Sequence, residues 1–196
     1  AGAAAPTHTA SPRRSQIFER IARSGTSGPE GMFALSPQSL ALDWIASHDP
    51  LRLDTAHDHI MQRYALAVFY FSTYTYGELG RIHLGSDQDM SHWIDEDGWL
   101  TGRGHCSWYG VECLPRVTYG SQGEPLVRTT YDDTDSVTHL NLTSNGIRGV
   151  LPREFNALSD LRVLDLSDNV LAGPIPPRWA GMSNLTVLAL QVNRLV

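Results

Sequence analysis

The C-terminal part of the sequence repeats itself at an interval of 24 residues. Three nine-residue segments begin at Val137, Leu161 and Leu185, and each fits L-x-x-L-x-L-x-x-N, with Val replacing the first Leu once. The asparagines, glycines and prolines of the units recur at the same spacing: Asn145, Asn169 and Asn193; Gly149 and Gly173; Pro152 and Pro176. Repetition locked at so many positions predicts a stack of similar structural units.

Each unit has the chemistry of a short strand followed by a return segment. Alternate leucines of a strand point to one side, where they would share a core with those of the next unit. The asparagine amide offers donors and an acceptor to backbone groups where the chain turns inward. Glycine and proline would then set the bend of the return path.

The repeats resemble the plant-type leucine-rich repeat, whose pattern continues after the asparagine as x-L-x-G-x-I-P. The resemblance implies an α/β solenoid, in which a helical N-terminal cap precedes a right-handed leucine-rich-repeat solenoid with a parallel sheet on its concave face. Family members bind ligands through that face. Thr138 would face solvent there, together with the candidate ligand contacts: His139, Asn141, Thr143, Arg162, Asp165, Ser167 and Gln191. The alternative for each position is an ordinary solvated strand residue.

The only two cysteines of the sequence, Cys106 and Cys113, lie just upstream of the repeats. Their number alone leaves a disulfide and two free thiols equally open. The segment Cys106-Ser-Trp-Tyr-Gly-Val-Glu-Cys113 is similar to the plant-type N-terminal cap motif C-x-W-x-G-V-x-C. That resemblance implies a bonded pair, a tryptophan packed over the first coil, and an oxidising compartment.

Two helical segments precede the cysteines, and residues 36–114 are interpreted as the cap. Ser36-Pro37 is a helix start signal, and Asp49-Pro50 ends the run. A second helix is predicted from a capping-box-like segment, Thr55 to Asp58, through Phe71. Because this helix is apolar on nearly every face, we expect it to be buried.

The flanks of the cap are less regular. Residues 1–35 are interpreted as a flexible arm or linker, of which residues 1–14 have the composition of a flexible arm. Residues 15–23 within it could form a short amphipathic helix that either packs on the cap or links it to a membrane. Two β-prone runs around Gly120 to Gly123 predict a hairpin-like insertion over 115–136, and the repeats occupy 137–196.

The segments 36–45, 62–66 and 108–111 resemble the large leucine-rich-repeat families of diatoms and related algae. Members usually have a variable N-terminal region, often with one membrane span, before the cap and repeats. The resemblance implies an extracellular, cell-surface or secretory-lumen location, and another oxidising lumen, such as that of the thylakoid, is the alternative.

No motif for catalysis or for a cofactor is found, and we expect the chain not to be an enzyme. His57 and His59 are a poor metal pair because residues two apart at a helix start point in different directions. Asp87 to Ser91 begins like a calcium loop but lacks the required glycine and glutamate. The net charge of −6 argues against nucleic acid as a partner.

Two sequons, at Asn141 and Asn184, are candidate glycosylation sites. The preferred function is recognition of a protein, peptide or glycan. The alternative is a structural subunit of an extracellular or lumenal, membrane-associated assembly, and enzyme inhibition is a weaker third. Leu185, Leu188, Leu190 and Leu195 should face an open edge, so we expect further repeats after Val196 or a partner subunit that seals it.

Overall fold

Helices form the N-terminal half of the computed structural model, and short strands form the C-terminal half. The structure describes residues 11–28, 35–57, 59–84, 93–114, 118–119, 125–126 and 135–196. The helices are α1 (Pro12–Ser24), α2 (Pro37–Asp43) and α3 (Ile60–Leu84), and a π-helical turn (Trp44–His48) extends α2. In the described part of the chain, 3₁₀ turns span His105–Ser107, Arg153–Ala157 and Pro177–Gly181. No described helix combines the length and the hydropathy that a membrane span needs.

Helix α1 corrects the interpretation of residues 1–35 as a flexible arm or linker, because residues 12–24 of that segment form a helix. The hydroxyl of Ser11 accepts a hydrogen bond from the Arg14 N–H, and Pro12 occupies the first turn, so the helix starts earlier than expected. Ile17 and Ile21 are fully buried, and Arg13 donates to the Leu53 carbonyl at 2.7 Å. The helix therefore packs on the cap, whereas residues 1–10 lie outside the described residues.

The predicted boundaries of the helical run made by α2 and its π-helical extension are confirmed, and those of α3 are not. Ser36 caps α2 by accepting from the Ser39 N–H, and the helical run closes at Asp49. Helix α3 continues to Leu84, well beyond the predicted end at Phe71, because no proline interrupts its backbone hydrogen bonds. Asp58 lies outside the described residues, and the Thr55 hydroxyl bonds to Gln16.

Two sheets carry the 24-residue repeat, and the strands of successive units pair in parallel in each of them. The first has the strand order β1 (Val111–Leu114), β4 (Ser136–Asn141), β6 (Val163–Asp165) and β8 (Val187–Ala189), with β1 antiparallel to β4. The second has the order β5 (Arg148–Val150), β7 (Val170–Gly173) and β9 (Arg194–Leu195). In the first sheet Leu140 pairs with Leu164, and Leu164 pairs with Leu188. Equivalent positions of successive units are thus in register.

A separate antiparallel pair lies in the predicted insertion. Strand β2 (Thr118–Tyr119) pairs with β3 (Pro125–Leu126), and Thr118 lies opposite Leu126. The other residues between 115 and 134 lie outside the described residues.

The repeated asparagines join each coil to the one before it. Asn169 Oδ1 accepts from the N–H groups of Asn145 and Ile147, and its Nδ2 donates to the Leu142 carbonyl at 2.8 Å. Asn193 does the same one coil later, accepting from Leu171 N–H. The predicted role of the asparagine in satisfying backbone groups at the turn is confirmed.

Asn145 shows how the cap closes the first coil. Its side chain exchanges two hydrogen bonds with the backbone of Asp95, at 2.7 and 2.8 Å, and its carbonyl accepts from Ile94 N–H. The loop at residues 94–95 therefore occupies the place that a preceding coil would have. Strand β1 closes the first sheet in the same way, because it pairs with the edge of β4 that would otherwise be free.

One hydrophobic core runs from α1 to the second 3₁₀ turn of the repeats, with buried members from Ile17 to Met182. The exposure of the leucines at equivalent positions rises from one repeat to the next: Leu140 and Leu164 are fully buried, whereas Leu188 is 44% exposed. Leu185, Leu190 and Leu195 are partly buried against the core. The core thus thins out in the third coil.

The first repeated glycine allows α3 to contact the repeats. Gly149 has a φ of +121°, and a Cβ added there would lie 2.4 Å from the backbone oxygen of Ser72. The Ser72 hydroxyl also donates to the Val150 carbonyl at 3.3 Å. The close approach of the Gly149 and Ser72 backbones explains why this residue is glycine. It does so better than the bend in the return segment that the sequence predicted.

Candidate binding face and its supporting cap

The outward side of the first sheet carries most of the predicted ligand contacts. Strand residues two apart point to the same side, so His139 and Asn141 of β4 project opposite to the buried Leu140. We call this surface the sheet face and define it by these residues: Glu112, His139, Asn141, Thr143, Arg162, Val163, Asp165, Val187, Ala189 and Gln191. The parallel register aligns Asn141 with Asp165, and Asp165 with Ala189.

Six of the seven candidate contacts are accessible on the sheet face. Asn141, Thr143, Arg162 and Gln191 are exposed, and His139 and Asp165 are half-buried. The seventh, Ser167, was expected to face solvent, and this was wrong, since the residue is only 4% exposed. Its hydroxyl is held between Asp165 Oδ1 and Thr143 Oγ1, at 2.5 and 2.9 Å. These two hydrogen bonds keep the Ser167 side chain packed against its neighbours at the turn.

Thr138 was also expected to face solvent, and it is 3% exposed. Its hydroxyl lies 3.3 Å from the Glu112 carbonyl, to which it donates, and 3.0 Å from His139 Nδ1. The cause is β1, which pairs with β4 and covers this position. The one hint of β1 in the sequence is that apolar Val111 and Cys113 flank Glu112, and the structure buries both of them.

Strand β1 adds Glu112 to the sheet face, a residue that the repeat pattern could not identify. Glu112 is exposed and lies opposite His139 in the register. The face then has carboxylates at Glu112 and Asp165, a guanidinium at Arg162, and aliphatic side chains at Val163 and Val187. A surface with both signs of charge and apolar contacts suits a partner of mixed chemistry better than a polyanion.

A buried ion pair organises the cap behind this face. Arg63 donates to both carboxylate oxygens of Asp49 at 2.7 Å, and both side chains are fully buried. The guanidinium also donates to the carbonyls of Thr101 and Arg103, so all three of its nitrogens are bonded. Such a bidentate pair fixes the mutual orientation of α3 and the loops on either side of it.

Aromatic rings complete the site around Arg63. Its guanidinium carbon lies 5.0 Å from the centroid of Trp44 and 4.8 Å from that of Trp108, within cation–π range. Trp108 is 1% exposed, which places the tryptophan of the cysteine motif in the core of the cap. The sequence marked Trp108 through its motif but did not identify Arg63, whose only signal was a cation among the apolar residues of the predicted helix.

The predicted disulfide is confirmed. Cys106 and Cys113 are bonded, with their Cα atoms 5.4 Å apart. The bond joins the 3₁₀ turn at His105–Ser107 to β1, and so fastens the edge strand to the cap.

Gly110 of the same motif is expected to tolerate no side chain. Its φ is +75°, and a Cβ would lie 2.2 Å from the backbone oxygen of Asn141. Gly110→Ala should lower the free energy of unfolding by at least about 2 kcal/mol, as measured by urea denaturation, since both the left-handed φ and the clash oppose it. Gly181→Ala is the control, because Gly181 has open space around it. Equal stability of the two variants would contradict this close contact between β1 and the first repeat.

A second buried carboxylate joins the cap to the first repeat. Glu154 accepts from the hydroxyl of Ser27 at 2.6 Å and from the amide of Gln38 at 3.2 Å. The Ser27 hydroxyl is also 3.0 Å from that of Tyr64. Burial raises the pKa of Tyr64 well above its usual range, so this phenol stays protonated as a hydrogen-bonding group.

Three histidines lie together near the disulfide, although the sequence showed only two of them as neighbours. The ring centroids of His57 and His59 are 5.4 Å apart, and those of His59 and His105 are 6.0 Å apart and stacked. Among the described residues, their ring nitrogens do not converge on one point. Burial, and after it the nearby charge of Arg63, lowers the pKa of His105 to about 3.

The two sequons lie at different parts of the repeats. Asn184 is exposed, and its amide donates to the Ser159 carbonyl at 2.8 Å. Asn141 is exposed on the sheet face, where a glycan would obstruct access. Glycosylation at either position stays a prediction.

Residues 135–195 match the family model described as leucine rich repeat. A search of the curated proteins finds no significant match. Among solved structures, the chain is similar to the leucine-rich-repeat ectodomain of the receptor kinase SOBIR1 from Arabidopsis thaliana, at 30% identity and a TM-score of 0.37, over 46% of this chain and 45% of that one.

Two further similar structures come from the same plant. The BIR2 ectodomain is 27% identical over 46% of this chain and 39% of that one, with a TM-score of 0.35. The structure of the BIR3–SERK2 complex contains a chain 24% identical over 56% of this chain and 49% of that one, with a TM-score of 0.37. The chain spans less than half the length of each of the three. The match to the family model and the stacked 24-residue coils together show that residues 135–195 are a leucine-rich-repeat segment.

Proposed function

We propose that the chain is an extracytoplasmic leucine-rich-repeat module that recognises a protein partner through the sheet face. The observation that carries the proposal is the division of the first sheet into a sealed side and an accessible side. Leu140 and Leu164 are fully buried on one side, whereas Asn141 on the other side is exposed, and so is Arg162 directly before β6. An ordered, parallel array of side chains costs little conformational entropy on binding.

The composition of the sheet face favours a protein or peptide over a glycan or nucleic acid. Arg162 and the carboxylates of Glu112 and Asp165 offer charge pairs of both signs, and Val163 and Val187 offer apolar contact. Protein surfaces provide the complementary mixture, and an arginine next to apolar side chains is a frequent centre of binding energy. The cap supports this use, because the disulfide and the Arg63–Asp49 pair hold β1 and its neighbours in place.

The disulfide also supports an extracellular or lumenal location. Cys106 and Cys113 are the only cysteines of the sequence, and they are bonded to each other. Such bonds form and persist in oxidising compartments, whereas cytosolic thiols are kept reduced.

Reversing one charge on the sheet face should weaken partner binding. Arg162→Glu is expected to reduce the affinity for a protein ligand by about tenfold or more, measured by biolayer interferometry after a screen of secreted proteins and ectodomains. The matched control is Arg52→Glu, which makes the same charge change at an exposed position in the cap. The proposed face would be contradicted if Arg52→Glu abolished partner binding and Arg162→Glu did not. A screen that finds no binding partner would also contradict it.

A structural subunit of a larger assembly is the second candidate. The observation that favours it is the apolar surface of the third coil, where Val187 is 47% exposed and Leu188 is 44% exposed. Sedimentation velocity of the purified chain separates the candidates. Self-association abolished by Leu188→Lys indicates a scaffold, whereas a monomer that binds its partner through Arg162 indicates a recognition module.

A further inference from the structure

The ring of His105 is a buried polar group without a hydrogen-bond partner among the described residues. It is fully buried, and neither Nδ1 nor Nε2 has a hydrogen-bond partner in the described part of the chain. Its neighbours are rings, namely His59 in a stacked arrangement and the edge of Trp108. Most buried side-chain nitrogens in proteins are hydrogen-bonded, so an unpartnered imidazole at this place calls for an explanation.

The disulfide lies beside this imidazole. A ring nitrogen of His105 and the Sγ atoms of Cys106 and Cys113 all lie within 4.8 Å of one another. In the oxidised protein the two sulfurs are bonded to each other and are not thiolate ligands. Reduction would turn the same three side chains into a Cys₂His set, which is a donor set typical of zinc.

We propose that His105, Cys106 and Cys113 form a latent site for a soft divalent cation such as Zn²⁺, closed by the disulfide and opened by its reduction. A dithiol supplies two electrons and two protons, the Sγ–Sγ bond breaks into two thiols, and the dithiol closes to its own disulfide. The cation then displaces both thiol protons and binds two thiolates and the neutral imidazole. A water molecule would complete the four ligands of a tetrahedral ion.

The geometry needs only a small adjustment. Ligand atoms around a tetrahedral zinc ion with nitrogen and sulfur donors lie roughly 3.6–3.8 Å apart. The sulfurs must therefore separate once their bond is broken, and the ring nitrogen must move closer by at most about 1.2 Å. Two thiolates and a divalent cation carry no net charge together, so the nearby guanidinium of Arg63 does not oppose occupancy.

Cobalt titration of the full chain tests the proposal, because Co²⁺ replaces zinc and absorbs in the near ultraviolet when bound to thiolates. The reduced wild-type protein should bind one equivalent and show this band, and Zn²⁺ should abolish it. The oxidised wild-type protein should show none. His105→Phe, which keeps an aromatic ring, should weaken the cobalt affinity of the reduced protein by roughly 100-fold. His48→Gln, at an exposed histidine, is the control and should bind as the wild type does.

Three results would overturn the site. These are the absence of the band in the reduced protein, an equal cobalt affinity in His105→Phe, and cobalt binding by the oxidised protein. If reduction alone unfolds the cap, circular dichroism measures whether zinc refolds it. One equivalent of Zn²⁺ should then restore the helical signal of the wild type and not that of His105→Phe, and failure of this rescue also overturns the proposal.

Discussion

Arg63→Met is expected to lower the free energy of unfolding by about 3–5 kcal/mol, the range found when one partner of a buried ion pair is removed. The change leaves the carboxylate of Asp49 fully buried without its counter-charge. It also deprives the carbonyls of Thr101 and Arg103 of a donor. Urea denaturation followed by circular dichroism measures the loss directly.

Arg103→Met is the matched control for this variant. Arg103 pairs with Asp97 at 2.8 Å, but the two side chains are 57% and 71% exposed. Solvent screens such a pair, and its removal should cost at most about 1 kcal/mol. Similar losses for the two arginines would show that the interior pair does not organise the cap.

Asn169→Ala is expected to lower the free energy of unfolding by about 3–5 kcal/mol, at roughly 1–3 kcal/mol for each buried backbone group left without a partner. The amide of Asn169 makes five hydrogen bonds within and between coils. Alanine replaces none of them, and the N–H groups of Asn145 and Ile147 would lose the oxygen that accepts from both. Thermal and urea denaturation both report this change.

Two other asparagines calibrate that effect. Asn193→Ala removes the equivalent amide from the more exposed third coil and should cost less than Asn169→Ala. Asn184→Ala removes one exposed hydrogen bond to Ser159 and should change the free energy of unfolding by less than about 1 kcal/mol. A ranking in which Asn184 matters as much as Asn169 would contradict the role of the repeated asparagine.

The features that the sequence predicted are local or periodic. The 24-residue spacing alone predicts the register in which Leu140 pairs with Leu164, and Leu164 with Leu188. Ser36 and Asp49 bound the first cap helix through short-range chemistry that a few neighbouring residues contain. The cysteine motif identified the disulfide through its resemblance to known caps.

The features that the sequence missed depend on contacts between distant segments. Nothing near Arg63 in the sequence indicates that Asp49 will face it across the cap, or that His105 will stack on His59. Strand β1 is an edge of the first sheet only through tertiary pairing, which also buries Thr138. Repeat patterns cannot predict these pairings, because they lie between the cap and the repeats or between separate segments of the cap.

We expect the helical cap and the leucine-rich repeats to unfold as one cooperative unit, because one hydrophobic core joins them. Native-state hydrogen exchange along a urea series tests it most directly, by comparing backbone N–H groups of α3 with those of Asn145, Ile147 and Leu164. We predict that both sets exchange through the same opening, with one free energy and one dependence on urea. Exchange of the repeat amides at a distinctly lower free energy, while α3 stays protected, would contradict the claim.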